Sequence, residues 1–150
     1  MNKPIVNVLS IDLEDYYMVS AFETVVKRED WHKYESRIER NTYRILDILN
    51  GSLTTHHSPL RTDVRATFFC LGWIAEEYPG LIKEIDRQGH EVSSHGYDHR
   101  LVYQMTPEEF REDARKSKNI LESITGKEVI GYRAPSCSIT GKSLWAFRIL

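Results

Sequence analysis

The chain has 150 residues, 41% of them hydrophobic and 28% charged, and a formal net charge of −2. That length buries one substantial core and suits one domain. The near-neutral balance gives no support to a nucleic-acid or anionic-membrane partner, and no apolar run is long enough to span a bilayer.

In chain order, the start Met1-Asn2-Lys3-Pro4-Ile5-Val6-Asn7 lacks the apolar centre of a secretory signal, which leads to the expectation of a cytoplasmic protein. Ile5 to Ile11 is a β-rich apolar run that ends in Asp12-Leu13-Glu14-Asp15. Residues 16–36 are irregular and aromatic, with Tyr16, Tyr17, Phe22, Trp31 and Tyr34, of which Tyr16, Tyr17, Trp31 and Tyr34 are expected to pack locally. Ile38, Thr42, Ile45, Leu46 and Leu49 then recur at helical spacing, with Gly51 as a stop. Ser52 to Asp63 is polar and reads as a loop, where His56 and His57 are expected to be solvated.

Arg65 to Leu71 predicts a second strand, Trp73 to Tyr78 a short helix and Pro79 to Arg87 another, ended by Gly89. His90 to Ser94 predicts a third strand that delivers His95. Thr106-Pro107-Glu108-Glu109 is a capping-box start with proline at the first helical position. The helix it opens carries Phe110, Ala114, Ser117, Leu121 and Ile124 on one face and stops at Gly126. Val129 to Tyr132 predicts a fourth strand leading to Arg133-Ala134-Pro135, and Thr140 starts a last helix. Cys70 and Cys137 have neither metal-type spacing nor a disulfide framework, so both are expected as reduced thiols.

Strands alternating with helices predict a parallel sheet, whose chemistry gathers at the C-terminal ends of the strands. Three strands here end in polar groups: the Asp12–Asp15 cluster, the His95–His99 segment and Arg133. Two imidazoles four residues apart, faced by a carboxylate, form a donor set suited to a metal-assisted hydrolase. An isolated HxxxH would fit two solvated loop histidines equally well. The convergence of three strand ends favours a site.

These segments resemble the polysaccharide deacetylases with the NodB homology domain, carbohydrate esterase family 4. The resemblance rests on Leu9-Ser10-Ile11-Asp12-Leu13-Glu14-Asp15-Tyr16-Tyr17, Arg65-Ala66-Thr67-Phe68-Phe69, Gly89-His90-Glu91-Val92-Ser93-Ser94-His95-Gly96-Tyr97-Asp98-His99 and Gly131-Tyr132-Arg133-Ala134-Pro135. The pattern is most similar to the branch associated with exopolysaccharide gene clusters and exosortase systems. It implies an α/β fold, the N-terminal portion of a distorted (β/α) barrel. Residues 1–150 would be a single NodB-like domain truncated at its C-terminus, since related barrels need ~250 residues. The family's late Leu-x-His segment, whose His serves as general acid, has no counterpart here, and an open sheet edge would make self-association possible.

The resemblance also implies roles. Asp12 matches the catalytic base and Arg133 the arginine that orients it. His95 and His99 match the metal-binding histidines of a divalent ion, zinc first. The usual second Asp of the acidic motif is replaced by Leu13, so the metal role passes to Glu14, with Asp15 as competitor. On a strand, Asp12 and Glu14 share one face, and Leu13 and Asp15 the other. Tyr97 and Pro135 are assigned to the substrate groove. The implied reaction removes N-acetyl groups from N-acetylhexosamine units of a polysaccharide. The alternatives are C–N hydrolysis of a small cyclic amide or ureide, and a metal- or glycan-binding fragment without turnover.

Overall fold

The computed structural model of the chain describes residues 7–51 and 64–150. The polar loop with His56 and His57, and the first part of the apolar run from Ile5, lie outside the described residues.

Three short strands, β1 (Ser10–Leu13), β2 (Thr67–Cys70) and β3 (Glu91–Ser94), form a parallel sheet in the order β1-β2-β3. The crossover from β1 to β2 carries α1 (Ile38–Leu49), and the crossover from β2 to β3 carries α2 (Gly72–Glu77) and α3 (Pro79–Arg87). A long α4 (Pro107–Thr125) follows and packs on α2, α3 and β3. This is a βαβαβα succession, and it agrees with an incomplete (β/α) barrel.

The helices form where the apolar period is 3.6. α1 buries Ile38, Thr42, Leu46 and Leu49, and α3 buries Leu81, Ile82 and Ile85. α4 opens on a complete capping box: Glu109 N donates to Thr106 Oγ1 at 3.2 Å, and Thr106 N donates to Glu109 Oε2 at 2.8 Å. It closes on Gly126 at φ 69°, a left-handed position that glycine adopts without a Cβ clash. The inner faces meet the sheet in one core built around Phe68, Leu46, Ile74, Leu81, Ile85 and Leu121, all fully buried. A smaller core joins Val102, Met105, Phe110 and Ala146. The aromatic segment packs as expected: Trp31 meets Trp73 edge-on at 5.2 Å and Tyr17 stacks on Tyr34 at 5.3 Å.

Three sequence expectations are corrected. The first strand is Ser10–Leu13, shifted towards the acidic cluster. Its pairing starts where β2 begins, Ser10 opposite Thr67, and Val8 and Leu9 stay exposed ahead of it. Val129–Tyr132 makes a single parallel bridge, Ser94 to Tyr132, not a strand. It is confined between left-handed Gly126 and Pro135, which has no N–H to extend a ladder. Thr140 caps no α-helix; a 3₁₀ turn, Leu144–Arg148, stands there instead. Ser143 Oγ accepts from Thr140 N at 2.8 Å and donates to Ser138 O at 3.2 Å, so local side-chain bonds replace the first helical turn.

Candidate active site and metal centre

Register builds the site. Leu13, Cys70 and Ser94 are level in the sheet, and Ser94 is bridged to Tyr132. The next residue on three of these four segments is Glu14, His95 or Arg133. The sheet therefore brings a carboxylate, an imidazole and a guanidinium to its C-terminal edge from positions 81 and 38 residues apart (95 − 14 and 133 − 95). His99 joins them by a turn. Gly96 at φ 78° starts it, and His99 itself stands at φ 61°. A Cβ on Gly96 would come within 3.0 Å of Asp113 Oδ2, so the residue type there is set by space as well as by φ.

Glu14, His95 and His99 offer one ligand atom each within 4.8 Å of one another. Both imidazoles are buried, with 2% and 3% of their side-chain surfaces exposed. His95 Nδ1 lies 2.8 Å from the carbonyl oxygen of Arg133. A carbonyl only accepts, so the proton sits on Nδ1 and the Nε2 lone pair faces the cluster. Glu14 Oε2 is 2.9 Å from His99 Nε2 but is a buried atom with no hydrogen-bond partner. A buried carboxylate oxygen facing two imidazoles without a donor in line fits a cation between them. The set is therefore chemically competent for a divalent ion of the zinc type.

The local electrostatics point the same way. Burial raises the Glu14 carboxyl, but the facing His99 and His95 outweigh it and hold Glu14 below its ordinary value. Burial lowers His95, against the pull of Asp12, so the ring favours its neutral, ligating form.

Asp12 stands beside the cluster. Its Oδ1 accepts from Arg133 Nη1 at 2.5 Å, and its Oδ2 is 4.0 Å from His95 Nε2. Arg133 is held in turn by Ser10 Oγ at 2.7 Å and by the Phe69 ring, 4.0 Å from its guanidinium carbon. Asp12 and Arg133 keep about a third of their side-chain surfaces exposed, so this side of the site is open. A cleft of about 250 Å³ continues past Asp12 and Glu14 towards Tyr16 and Arg37.

Glu14 faces the two imidazoles, and Asp15 does not. Asp15 is buried on the other face, where its carboxylate accepts from Tyr16 N, Ser36 Oγ and Arg37 N at 3.0, 3.1 and 2.7 Å. It tethers the entry to α1. The side chains of Tyr97 and Pro135 are both held by packing. The Tyr97 ring lies against Gly72 of α2, its hydroxyl donates to Glu76 Oε2 at 2.6 Å, and Lys116 Nζ of α4 sits over it at 3.2 Å. Its backbone belongs to the histidine turn, but its side chain points to the helices. Pro135 is fully buried beside Gly96 of the histidine turn.

Three residues near the site escaped the sequence reading. Ser20 Oγ is 3.3 Å from His99 Nδ1 and 3.0 Å from Ser136 Oγ. Nothing in the aperiodic segment around Ser20, or in the turn after Pro135, marked them. Asp113 Oδ2 accepts from Tyr97 N at 3.1 Å. A signal existed for it: it lies three residues after Phe110 and four before Ser117, a carboxylate beside the buried stripe of α4.

The family model described as polysaccharide deacetylase matches residues 34–149. Peptidoglycan-N-acetylglucosamine deacetylase of Bacillus cereus is 34% identical over 85 residues, 56% of this chain and 31% of that protein. Among solved structures, peptidoglycan deacetylase PdaC from Bacillus subtilis superposes with a TM-score of 0.64 at 21% identity, covering 90% of this chain and 51% of that one. A CE4 family pseudoenzyme from Bacillus anthracis superposes with a TM-score of 0.65 at 23% identity, covering 94% and 39%. The chain spans about a third of the B. cereus relative and from two-fifths to half of the two structures. The family match begins after the acidic cluster, so Asp12 and Glu14 join the site through the parallel register of β1 rather than through that match. With sequence and fold in agreement, the chain belongs to the polysaccharide deacetylase family.

Proposed function

We propose that this chain carries the metal centre and catalytic base of an enzyme that removes N-acetyl groups from N-acetylhexosamine units of a polysaccharide. The observation that carries the reading is the Glu14–His95–His99 cluster with the Asp12–Arg133 pair at its rim.

Glu14, His95 and His99 would hold the divalent ion, and zinc suits a set of two nitrogens and one oxygen. When bound, such an ion supplies Lewis-acid polarisation of the acetamide carbonyl and activation of water. Arg133 occupies Asp12 Oδ1 and leaves Oδ2 on the cluster side to accept the proton of the attacking water. The Arg133 backbone carbonyl fixes the His95 ring at the same time, so one residue aligns both the base and an imidazole. The amide C–N bond then breaks as the departing nitrogen takes up a proton, in balance with the one Asp12 accepted from water, to give acetate and a free amino sugar.

The polysaccharide deacetylase match, together with a relative named as a peptidoglycan-N-acetylglucosamine deacetylase, supports a polymeric glycan over a small cyclic amide or ureide. The Asp-x-Glu-Asp pattern at Asp12–Asp15 supports the exopolysaccharide-associated branch. Acetate release tests the reading, with an N-acetylated exopolymer and peptidoglycan fragments compared side by side, with and without chelator. Chelator-insensitive release would overturn the metal-dependent reading, and preference for peptidoglycan fragments would overturn the branch.

A further inference from the structure

We propose that Ser20 and Ser136 are positioning residues that set the tautomer of His99, through a hydroxyl relay from His99 Nδ1 to Ser20 Oγ (3.3 Å) and on to Ser136 Oγ (3.0 Å). The inference rests on the reading of Glu14, His95 and His99 as a metal centre.

The two imidazoles are held differently. His95 Nδ1 faces a carbonyl, which fixes one tautomer. His99 Nδ1 faces a hydroxyl, which both donates and accepts. With a cation present, His99 Nε2 must offer its lone pair, so Nδ1 carries the proton and donates to Ser20. Ser20 then turns its own proton to Ser136, and Ser136 turns its proton to solvent. Without a cation, Nε2 carries the proton on the side of Glu14 Oε2, 2.9 Å away. Ser20 then donates to Nδ1, and Ser136 donates to Ser20. One proton changes ring nitrogen, two hydroxyls rotate, and no proton is gained or lost. His95 is preset, whereas His99 adapts.

The backbone independently marks the same place. Among the described residues, the non-glycine residues at positive φ are His99 (61°), Ser136 (49°) and Cys137 (52°). Such conformations persist only where the surroundings over-determine them. Two of the three residues are ends of the relay. His99 is further pinned through its neighbour, where Arg28 Nε donates to Asp98 O at 2.8 Å. Segments 79 and 116 residues distant in sequence from their partners are thus drawn to one hydrogen-bonded line.

The test uses this chain with zinc as probe. Zinc affinity is measured by chelator competition, and imidazole ¹H–¹⁵N correlation spectra are recorded on the metal-free protein. Ser20→Ala is expected to weaken zinc by about 10–100-fold, the range for losing an outer-shell partner of a metal histidine. It should move the His99 ring ¹⁵N resonances and leave those of His95 in place. Ser136→Ala should act in the same direction more weakly, and Ser20→Thr, which keeps a hydroxyl, should restore both readouts. Wild-type zinc affinity together with unmoved His99 resonances in Ser20→Ala overturns the relay. If Ser20→Ala fails to fold, Ser136→Ala and Ser20→Thr decide by the same readouts. If the wild-type chain binds no zinc, the metal reading falls and the resonances alone judge the relay: a selective His99 shift supports it, and no shift overturns it.

Discussion

Arg133 and Asp12, 121 residues apart in the chain, meet in a charge-assisted hydrogen bond of 2.5 Å. The contact leaves one Asp12 oxygen towards His95. In an active enzyme carrying this site, Asp12→Asn should retain the metal and lose about 10²–10⁴-fold in turnover, the usual worth of a general base. Metal content and kcat measured on the same preparation check it. Loss of the ion would make Asp12 a ligand and undo the division of labour with Glu14.

Glu14 and Asp15 are neighbours with opposite expected phenotypes. His95→Ala, His99→Ala and Glu14→Ala should each abolish stoichiometric divalent-ion binding, read by elemental analysis after dialysis. Asp15→Ala should keep the ion and lose stability. It would remove a carboxylate that accepts partly buried hydrogen bonds from Ser36 Oγ and the amide of Arg37, a loss of about 1–3 kcal/mol for bonds to a charged group. Denaturant titration measures that loss. Metal loss in Asp15→Ala with Glu14→Ala intact would reverse the assignment.

Much of this was legible in the sequence. Alternating elements gave the parallel sheet, period-two alternation put Glu14 and Asp15 on opposite faces, and the Thr106–Glu109 box and Gly126 bounded α4 to the residue. What escaped depends on side-chain direction within irregular backbone. Tyr97 lies two residues from each histidine, but the turn swings its ring to α2 and α4. Pro135 sits near the site in sequence and is fully buried beside Gly96. Ser20 reaches His99 from a segment with no period to read, because its place is set by tertiary contacts alone.

Asp113 gives a pH signature. Burial pushes its carboxyl up to about 6, and nearby Asp98 adds to this, against the opposing Tyr97 amide, Arg100 and Lys116. The unfolded chain releases this proton near the ordinary aspartate value of about 3.9. Between these values the native state binds more protons than the unfolded state, so this group's contribution to stability falls as pH rises from about 4 to about 6. Asp113→Asn keeps an acceptor for Tyr97 N and removes the titration. Relative to it, the wild type should lose on the order of 2 kcal/mol across that window. Parallel urea titrations at pH 4 and pH 6.5 check this, and an unchanged difference between the two proteins refutes it.

Gly131 couples packing to chemistry. A Cβ there would collide with Ser93 Oγ, and Gly131 O is the acceptor for Ser94 N at 2.9 Å. Gly131→Ala should push the Tyr132 bridge off β3 and carry Arg133 away from Asp12. The expected result is a stability loss of about 1–3 kcal/mol from overpacking, with kcat falling further than zinc affinity. Equal falls in both would mean that the displacement reaches the metal ligands as well.

Asp12 and Arg133 have about a third of their side-chain surfaces in solvent, and the chain spans 31% of the B. cereus relative. Water at the rim raises the local dielectric, which weakens each charge that Asp12 and Arg133 bring to the reacting amide. The amine is also a poor leaving group until it is protonated, and acid assistance is worth about 10²–10⁴-fold. In the family this chain resembles, that acid is a late histidine in a Leu-x-His segment, and residues 1–150 contain no such segment. With zinc saturating, residues 1–150 should therefore release acetate from chitooligosaccharides at least about 10²-fold more slowly than a chain extended to the length of the relatives. Both should bind zinc alike, because Glu14, His95 and His99 all lie within the shared residues. Comparable turnover would place the acid within residues 1–150, or would require copies of the chain to close the rim by association. Sedimentation at the assay concentration separates those two outcomes.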